Sequence, residues 1–142
     1  MSTVLRQWDP ANLYVIVGGA IMTGFAAGSF VTVARNEQAY TFQPNADGGG
    51  TRSKSNNFSG TITIRLAQSS PANAILSGLA QLDEKGNQGA VPVLIKDGNG
   101  KSIYSAQQAW IQKIADSEFA VESGEREWVL ETHHLEAYVG GN

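Results

Sequence analysis

The reading of this chain turns on the stretch Phe58-Ser59-Gly60-Thr61-Ile62-Thr63-Ile64-Arg65-Leu66-Ala67-Gln68. Ile62, Ile64 and Leu66 alternate with Thr61, Thr63 and Arg65, the period of two that gives a β-strand one apolar and one polar face. Directly beyond it the period changes. Ser70 is placed to cap a helix, Pro71 suits its first position, and residues 72–83 follow. Within them Ile75, Leu76, Leu79 and Leu82 fall at i, i+1, i+4 and i+7, a spacing that predicts one apolar stripe facing a core. Asp83-Glu84-Lys85-Gly86-Asn87 then ends the helix in a polar turn.

Strand patterning extends from this stretch in both directions. Upstream, residues 12–17 and 20–25 flank Gly18-Gly19, the chemistry of a tight hairpin in which both turn positions need φ > 0. Residues 30–35 and 39–43 flank Asn36-Glu37 as a second hairpin. Residues 44–57 read as a long loop, with Gly48-Gly49-Gly50 at its middle and Arg52 and Lys54 beyond. Loops of this length inside a compact domain are uncommon and are usually functional or disordered. Downstream, strands are expected at 90–96 and 101–105 around the turn Asp97-Gly98-Asn99-Gly100. Residues 106–113 fit a strand or a short helix equally. A strand at 117–122 and a long one at 125–138, with Trp128 and Leu130 on one face, precede a glycine-rich tail at 139–142. The sum is one mostly antiparallel β domain with a single helix packed against it.

The 142 residues suit one domain, and without cysteine there is no disulfide framework or thiolate chemistry. The apolar run at 13–17 is far below the roughly twenty residues that span a bilayer. The first ten residues, with Arg6, Trp8 and Asp9, lack a signal-peptide pattern, so synthesis in the cytoplasm and no membrane insertion are expected. Only 16% of residues are charged, against about 25% on average; such a surface is suited to meeting other protein. Residues 1–82 carry five bases and three acids, and 83–142 five bases and ten acids. A self-associating ring could pair those unlike halves. The net charge of −3 argues against adhesive nucleic-acid binding, which wants a dense basic patch.

No reaction chemistry emerges. His133 and His134 are the only histidines, and as neighbours in a strand they would point to opposite faces, so no metal site is expected. Glu125, Glu127 and Glu131 share a strand face by their even spacing, which suits a solvated surface or a channel lining better than a buried catalytic pair. The glycine run at 48–50 with Lys54-Ser55 fails the phosphate-loop pattern, because Ser53 precedes Lys54 and no helix follows. There is no G-x-S-x-G elbow. No catalytic residue and no cofactor is expected: the chain reads as a binding or structural protein rather than an enzyme.

Several stretches in order resemble one family. They are Gly28-Ser29-Phe30-Val31-Thr32-Val33-Ala34-Arg35-Asn36-Glu37, Ala46-Asp47-Gly48, Thr51-Arg52-Ser53-Lys54-Ser55-Asn56-Asn57 and Ser59-Gly60-Thr61-Ile62-Thr63-Ile64. Gln68-Ser69-Ser70-Pro71-Ala72-Asn73, Ala109-Trp110-Ile111, Arg126-Glu127-Trp128-Val129-Leu130 and Val139-Gly140-Gly141 follow. Together, over about residues 12–141, they resemble the tube proteins of contractile bacteriophage tails. The resemblance implies a mainly β fold of two packed antiparallel sheets, as a β-sandwich or barrel, with one flanking helix, in a single tail-tube domain over 1–142 with short terminal arms. It further implies that six copies form a ring, that rings stack into a hollow tube in the virion tail, and that the lumen holds the tape-measure protein and later passes DNA. Its implied partners are other copies, the tail sheath, the tape measure, and the baseplate and tail terminator proteins. In that setting Asp47, Arg52 and Lys54 are expected at contacts between subunits, and Thr61, Thr63 and Arg65 towards the lumen. The tube subunit of a phage-derived injection particle or type VI secretion system is the alternative; a monomeric β-sandwich binding module or small β-barrel enzyme is a more distant one.

Overall fold

The computed structural model describes residues 4–141; the outermost residues of the two expected arms, 1–3 and Asn142, lie outside them. A turn of 3-10 helix at Pro10–Asn12, capped by the Asp9 carboxylate on the Ala11 N–H, leads into β1 (Leu13–Val17) and β2 (Ala20–Ile21). Then come β3 (Val31–Arg35), β4 (Tyr40–Pro44), β5 (Gly50–Lys54) and β6 (Gly60–Ala67). After the helix α1 (Ala72–Gly86), the chain forms β7 (Val91–Asp97), β8 (Ile103–Lys113), β9 (Glu125–Thr132) and β10 (Glu136–Tyr138). The protein is thus mainly β, with two antiparallel sheets and one helix. The larger sheet has the order β2-β1-β7-β8-β9-β6-β3, with β10 also paired to β8; the smaller is β4-β5.

The larger sheet curls upon itself. Past β2 the chain reaches Phe25, which bridges Leu66 of β6, while the Ala26 N–H donates to Arg65 and the Ala67 N–H to Gly24. The β2 end of the sheet is therefore tied back to β6, and the inward side chains of both halves meet in one core. Val15 and Val17, Ile62, Ile64 and Leu66, Val93 and Ile95, and Trp128 and Leu130 are all buried there. The alternation read at 61–66 sets this arrangement: the isoleucines and Leu66 face in, and Thr61, Thr63 and Arg65 face out. At the β1–β2 turn Gly18 and Gly19 both have positive φ, 59° and 85°, the primed geometry that matches strand twist.

The helix starts where its signals stand. Pro71 already has helical dihedrals, and the Ser70 hydroxyl oxygen accepts the Ala72 N–H. The Asn73 amide donates to the carbonyls of Ala67, Gln68 and Ser70, and its oxygen accepts the Trp128 indole N–H at 3.0 Å. The helix thus anchors to β9. It ends at Asn87, left-handed at φ 54°, whose N–H donates to Asp83. It runs three residues beyond the expected end, and its buried face is not the expected stripe. Ala72, Leu76 and Ala80 are buried, whereas Ile75 and Leu82 are exposed. Two alanines on the inner face let the helix lie close to the sheet, and close approach selects the small side chains over the larger ones beside them.

Other expectations are corrected. Residues 44–57 are not one loop: β5 pairs with β4 in register from Tyr40↔Lys54 to Pro44↔Gly50. The strand expected at 101–105 and residues 106–113, which fitted a strand or a short helix, form one strand, β8, interrupted by a bulge opposite Val91 and Val93. Residues 117–122 form no strand and are exposed, because no neighbouring strand offers them a ladder. Only Ala20–Ile21 of the stretch 20–25 is strand. The strand expected at 125–138 breaks at His133 and His134, where the chain turns Leu135 inward. Leu135 is fully buried, its N–H donates to the Phe58 carbonyl, and it fills the space beside Gly60, where a Cβ would collide with the Leu135 side chain.

Candidate assembly surfaces

β3 continues into β4, and β5 continues into β6. Residues 31–64 are accordingly one long antiparallel ribbon whose base (β3–β6) belongs to the large sheet and whose tip (β4–β5) leaves it. The ribbon breaks at its middle. Hydrogen bonds from Asn36 to Ser59, Thr61 to Asn36 and Ser55 to Glu37 stitch the break together. Every residue of β4 and β5 is exposed. We call this projecting tip the arm.

The arm is amphipathic. The pairs Tyr40↔Lys54 and Phe42↔Arg52 place two aromatic rings and two cations on one side, and Thr41, Gln43, Thr51 and Ser53 on the other. The Arg52 guanidinium lies 4.0 Å from the Tyr40 ring centre. The Lys54 ammonium lies 5.8 Å from the Phe58 ring, which Arg35 also approaches at 5.4 Å and His134 stacks upon at 4.9 Å. Phe42 remains 66% exposed. A two-stranded ribbon is marginal in water on its own; here one with an aromatic and cationic face stands in solvent.

Of the residues expected at subunit contacts, Arg52 and Lys54 share this face. Asp47 does not join them. It sits in the turn at the tip, where its carboxylate accepts the Gly49 N–H at 3.1 Å beside Gly48 at φ 92°, so it shapes the turn. Thr61, Thr63 and Arg65 come together as expected on one outward row of β6. The Thr61 hydroxyl donates to Asn36, and Arg65 pairs with Glu127 of β9 at 3.4 Å.

The outward side of the curled sheet is divided. On β6 and β9 it is polar: Thr61, Thr63 and Arg65 stand opposite Glu131, Val129 and Glu127, with Glu125 at the end of the row. On β2, β1, β7, the start of β8 and β10 it is largely apolar. There Ile21, Ile16 and Leu94 lie in one cross-strand row, and Tyr14, Lys96, Ile103 and Tyr138 in the next. Of these Ile21, Tyr14, Ile103 and Tyr138 are exposed. A cleft of about 650 Å³ opens on this half, lined by Ile16, Pro92, Leu94, Gln107, Gln108, His133, His134 and Glu136 among others.

A third surface lies at the far end of β9. The connection from β8 to β9 carries Asp116, Glu118 and Glu122 together with Phe119 and Val121, both largely in solvent. With Glu125 and Glu127 it borders a smaller cleft of about 360 Å³. Lys113 pairs with Asp116 at 3.1 Å. Among the described residues no group of three or more His, Asp or Glu side chains is placed to hold a metal ion, and no helix is long and apolar enough to cross a membrane. Even spacing within a strand is the signal that would have found the aromatic and cationic face of the arm. It was hidden because residues 50–54 contain no apolar side chain.

A curled β body that presents a projecting arm, a polar face and an apolar face defines a protein of surfaces: a structural subunit. Comparison with known proteins makes this specific. The family model for the bacteriophage PhiTE tail tube protein matches residues 13–140, and the chain belongs to that family. Its members are structural tail proteins, not enzymes. The chain is 32% identical over 123 residues to "Structural protein ORF10" of Pseudomonas phage KPP10, a match covering 85% of this chain and 71% of that protein. Among solved structures it shares its fold with the tube-terminating cap of the anti-feeding prophage. There the TM-score is 0.68 at 11% identity, with 97% of this chain and 95% of that chain covered. It also shares its fold with the sheath/tube terminator, in the extended state, of the extracellular contractile injection system PVC. The TM-score is 0.67 at 14% identity, with 96% and 100% covered.

Proposed function

We propose that this chain is a tail tube subunit of a contractile phage virion, one domain whose copies close into six-membered rings that stack into a hollow tube. The tube holds the tape measure and conducts DNA at ejection. The sheath lies outside it, the baseplate at one end and the terminator at the other. The protein is made in the host cytoplasm and carried in the tail. The observation that supports this reading most is the family match over residues 13–140. The divided surface fits it. Thr61, Thr63 and Arg65 with the glutamates of β9 make a polar wall of low positive charge, past which phosphate slides without binding. The arm supplies Arg52 and Lys54 to contacts between copies, and Asp47 holds the tip in shape for them.

Electron microscopy of the purified protein tests this. Stacked rings with a central channel are expected, and a monomer at every concentration and salt would refute it. A terminal position is the second reading, favoured by the two solved structures that share the fold, a tube cap and a sheath/tube terminator. A tube of an injection particle without a DNA-filled head is its close variant. A terminator forms single rings that do not stack on themselves, so the same images separate the two readings.

A further inference from the structure

The arm's unsupported face and the acidic connection between β8 and β9 are complementary, and they lie at opposite poles of one strand. The arm leaves the body at the Gly60 end of β6, where Gly60 pairs with Thr132. The acidic connection enters at the other end, where Ala67 pairs with Glu125. Eight residues of strand separate them, about 25 Å at the usual rise. An arm therefore meets this connection on another copy. We infer that the arm of one copy docks on the β8–β9 connection of the copy stacked next to it, which rests on the tube reading above and names the surface that receives the arm.

Three features carry this. The first is charge: Arg52 and Lys54 face outward on the arm, while Glu118 and Glu125 have no salt bridge among the described residues. The second is apolar area: Phe42 on the arm and Phe119 on the connection are 66% and 80% exposed, and each offers the other a ring to cover. The third is direction. A contact between unlike poles of the same subunit is heterologous and does not close on itself, so repeating it generates a stack along the β6 axis. The acidic pole holds three of the ten acids of residues 83–142, Asp116, Glu118 and Glu122, and no base. Within a single copy Arg52 lies over the Tyr40 ring at 4.0 Å and Arg126 approaches the Phe119 ring at 5.3 Å, but neither surface reaches the other.

The test combines charge exchange with cross-linking, read by sedimentation and electron microscopy. The double variant R52E/K54E should lower the assembled fraction by about tenfold or more, since like charges then face each other. E118K/E125K should do the same, and the four changes together should restore assembly. The chain has no cysteine, so Arg52→Cys copies mixed in equal amount with Glu118→Cys copies provide a second reading. Oxidation should then yield a disulfide-linked dimer between unlike copies, even where a charge variant misfolds. Assembly of R52E/K54E at the parent level would overturn both the arm contact and this inference. Loss of assembly without restoration by the four-fold exchange, or assembled rings without the disulfide dimer, would overturn this inference and leave the tube reading standing. A parent protein that never assembles would overturn the tube reading itself.

Discussion

Replacing Phe42 by serine separates folding from assembly, because the two make opposite demands on that side chain. In the single copy Phe42 is 66% exposed on an arm whose residues are all exposed. The substitution removes little buried contact, and the melting temperature of the unassembled protein should move by no more than a surface change allows, within about 0.5 kcal/mol. On the docking inferred above, the ring is covered in the assembled state. A phenylalanine offers roughly 200 Å² to burial, so about two-thirds of it, some 130 Å², leaves water on docking. At about 25 cal/mol per Å² this is roughly 3 kcal/mol per contact before the cost of ordering the arm. Allowing about 1 kcal/mol for that ordering, about 2 kcal/mol remains. Phe42→Ser should accordingly raise the critical concentration for assembly by about thirtyfold. Sedimentation of a dilution series, with circular dichroism melts of the dilute protein beside it, measures both quantities. A critical concentration equal to that of the parent, with the melt unchanged, would show that the arm's aromatic face is not covered in the assembly. A large fall in the melting temperature would show instead that the arm packs on its own body.

Leu135→Ala should be the reverse case: the side chain is fully buried against Gly60, so a loss of about 2–5 kcal/mol is expected, a melting temperature lower by roughly 10 °C in the unassembled protein. Asn73→Ala strips three carbonyls and the Trp128 indole N–H of a partner, which should cost about 2–3 kcal/mol and shift the tryptophan emission on thermal unfolding to lower temperature. Arg65→Ala removes a half-exposed pair with Glu127 and should change the melting midpoint by no more than a couple of degrees, because such pairs contribute about 0–1 kcal/mol; a larger loss by calorimetry would mean that the polar wall is a structural network. Gly19→Val forces a β-branched residue to the positive φ of the β1–β2 turn and should destabilise by about 1–3 kcal/mol in chemical denaturation, although a Cβ there meets open space.

How far the sequence could be read follows from where apolar periodicity coincides with pairing. At 61–66 the two agree, and the strand, its inward face and its outward row were all legible. They part in β5, whose Gly-Thr-Arg-Ser-Lys has no apolar residue: it is a strand only because β4 lies beside it, and pairing leaves no trace in a hydropathy pattern. They part again in β8, where the bulge sets the buried Ala106 and Ala109 three residues apart, a spacing that suits one face of a helix and not of a regular strand. The opposite failure occurs at 117–122. Phe119 and Val121 alternate with polar residues, yet no strand forms and both side chains stand in solvent rather than in the core. The helix could be placed but its rotation could not, because tight packing on the sheet selected Ala72 and Ala80 over Ile75 and Leu82. The surfaces were harder still to read. Arg52 and Lys54 could be picked out as exposed bases, but their common face with Tyr40 and Phe42 depends on the register of a strand that gave no signal.

The two kinds of surface also imply an order of events. Charge in this chain is sparse: of its 23 charged side chains, Asp47, Arg52 and Lys54 stand on the arm and Asp116, Glu118 and Glu122 on the β8–β9 connection. The outward half-sheet of β1, β2, β7 and β10 is mostly apolar. Contacts between exposed charges weaken as salt shortens the screening length from about 10 Å at 0.1 M to about 3 Å at 1 M, whereas apolar burial does not. Under the tube reading, the contact along the axis uses the poles, and contacts around the ring are left the apolar flank. Raising salt should therefore release ring from ring before it opens the rings themselves. The small axial contact then controls where a tube grows and stops, because a partner lacking the acidic connection, or one presenting bases there, ends the stack without disturbing the ring beneath it.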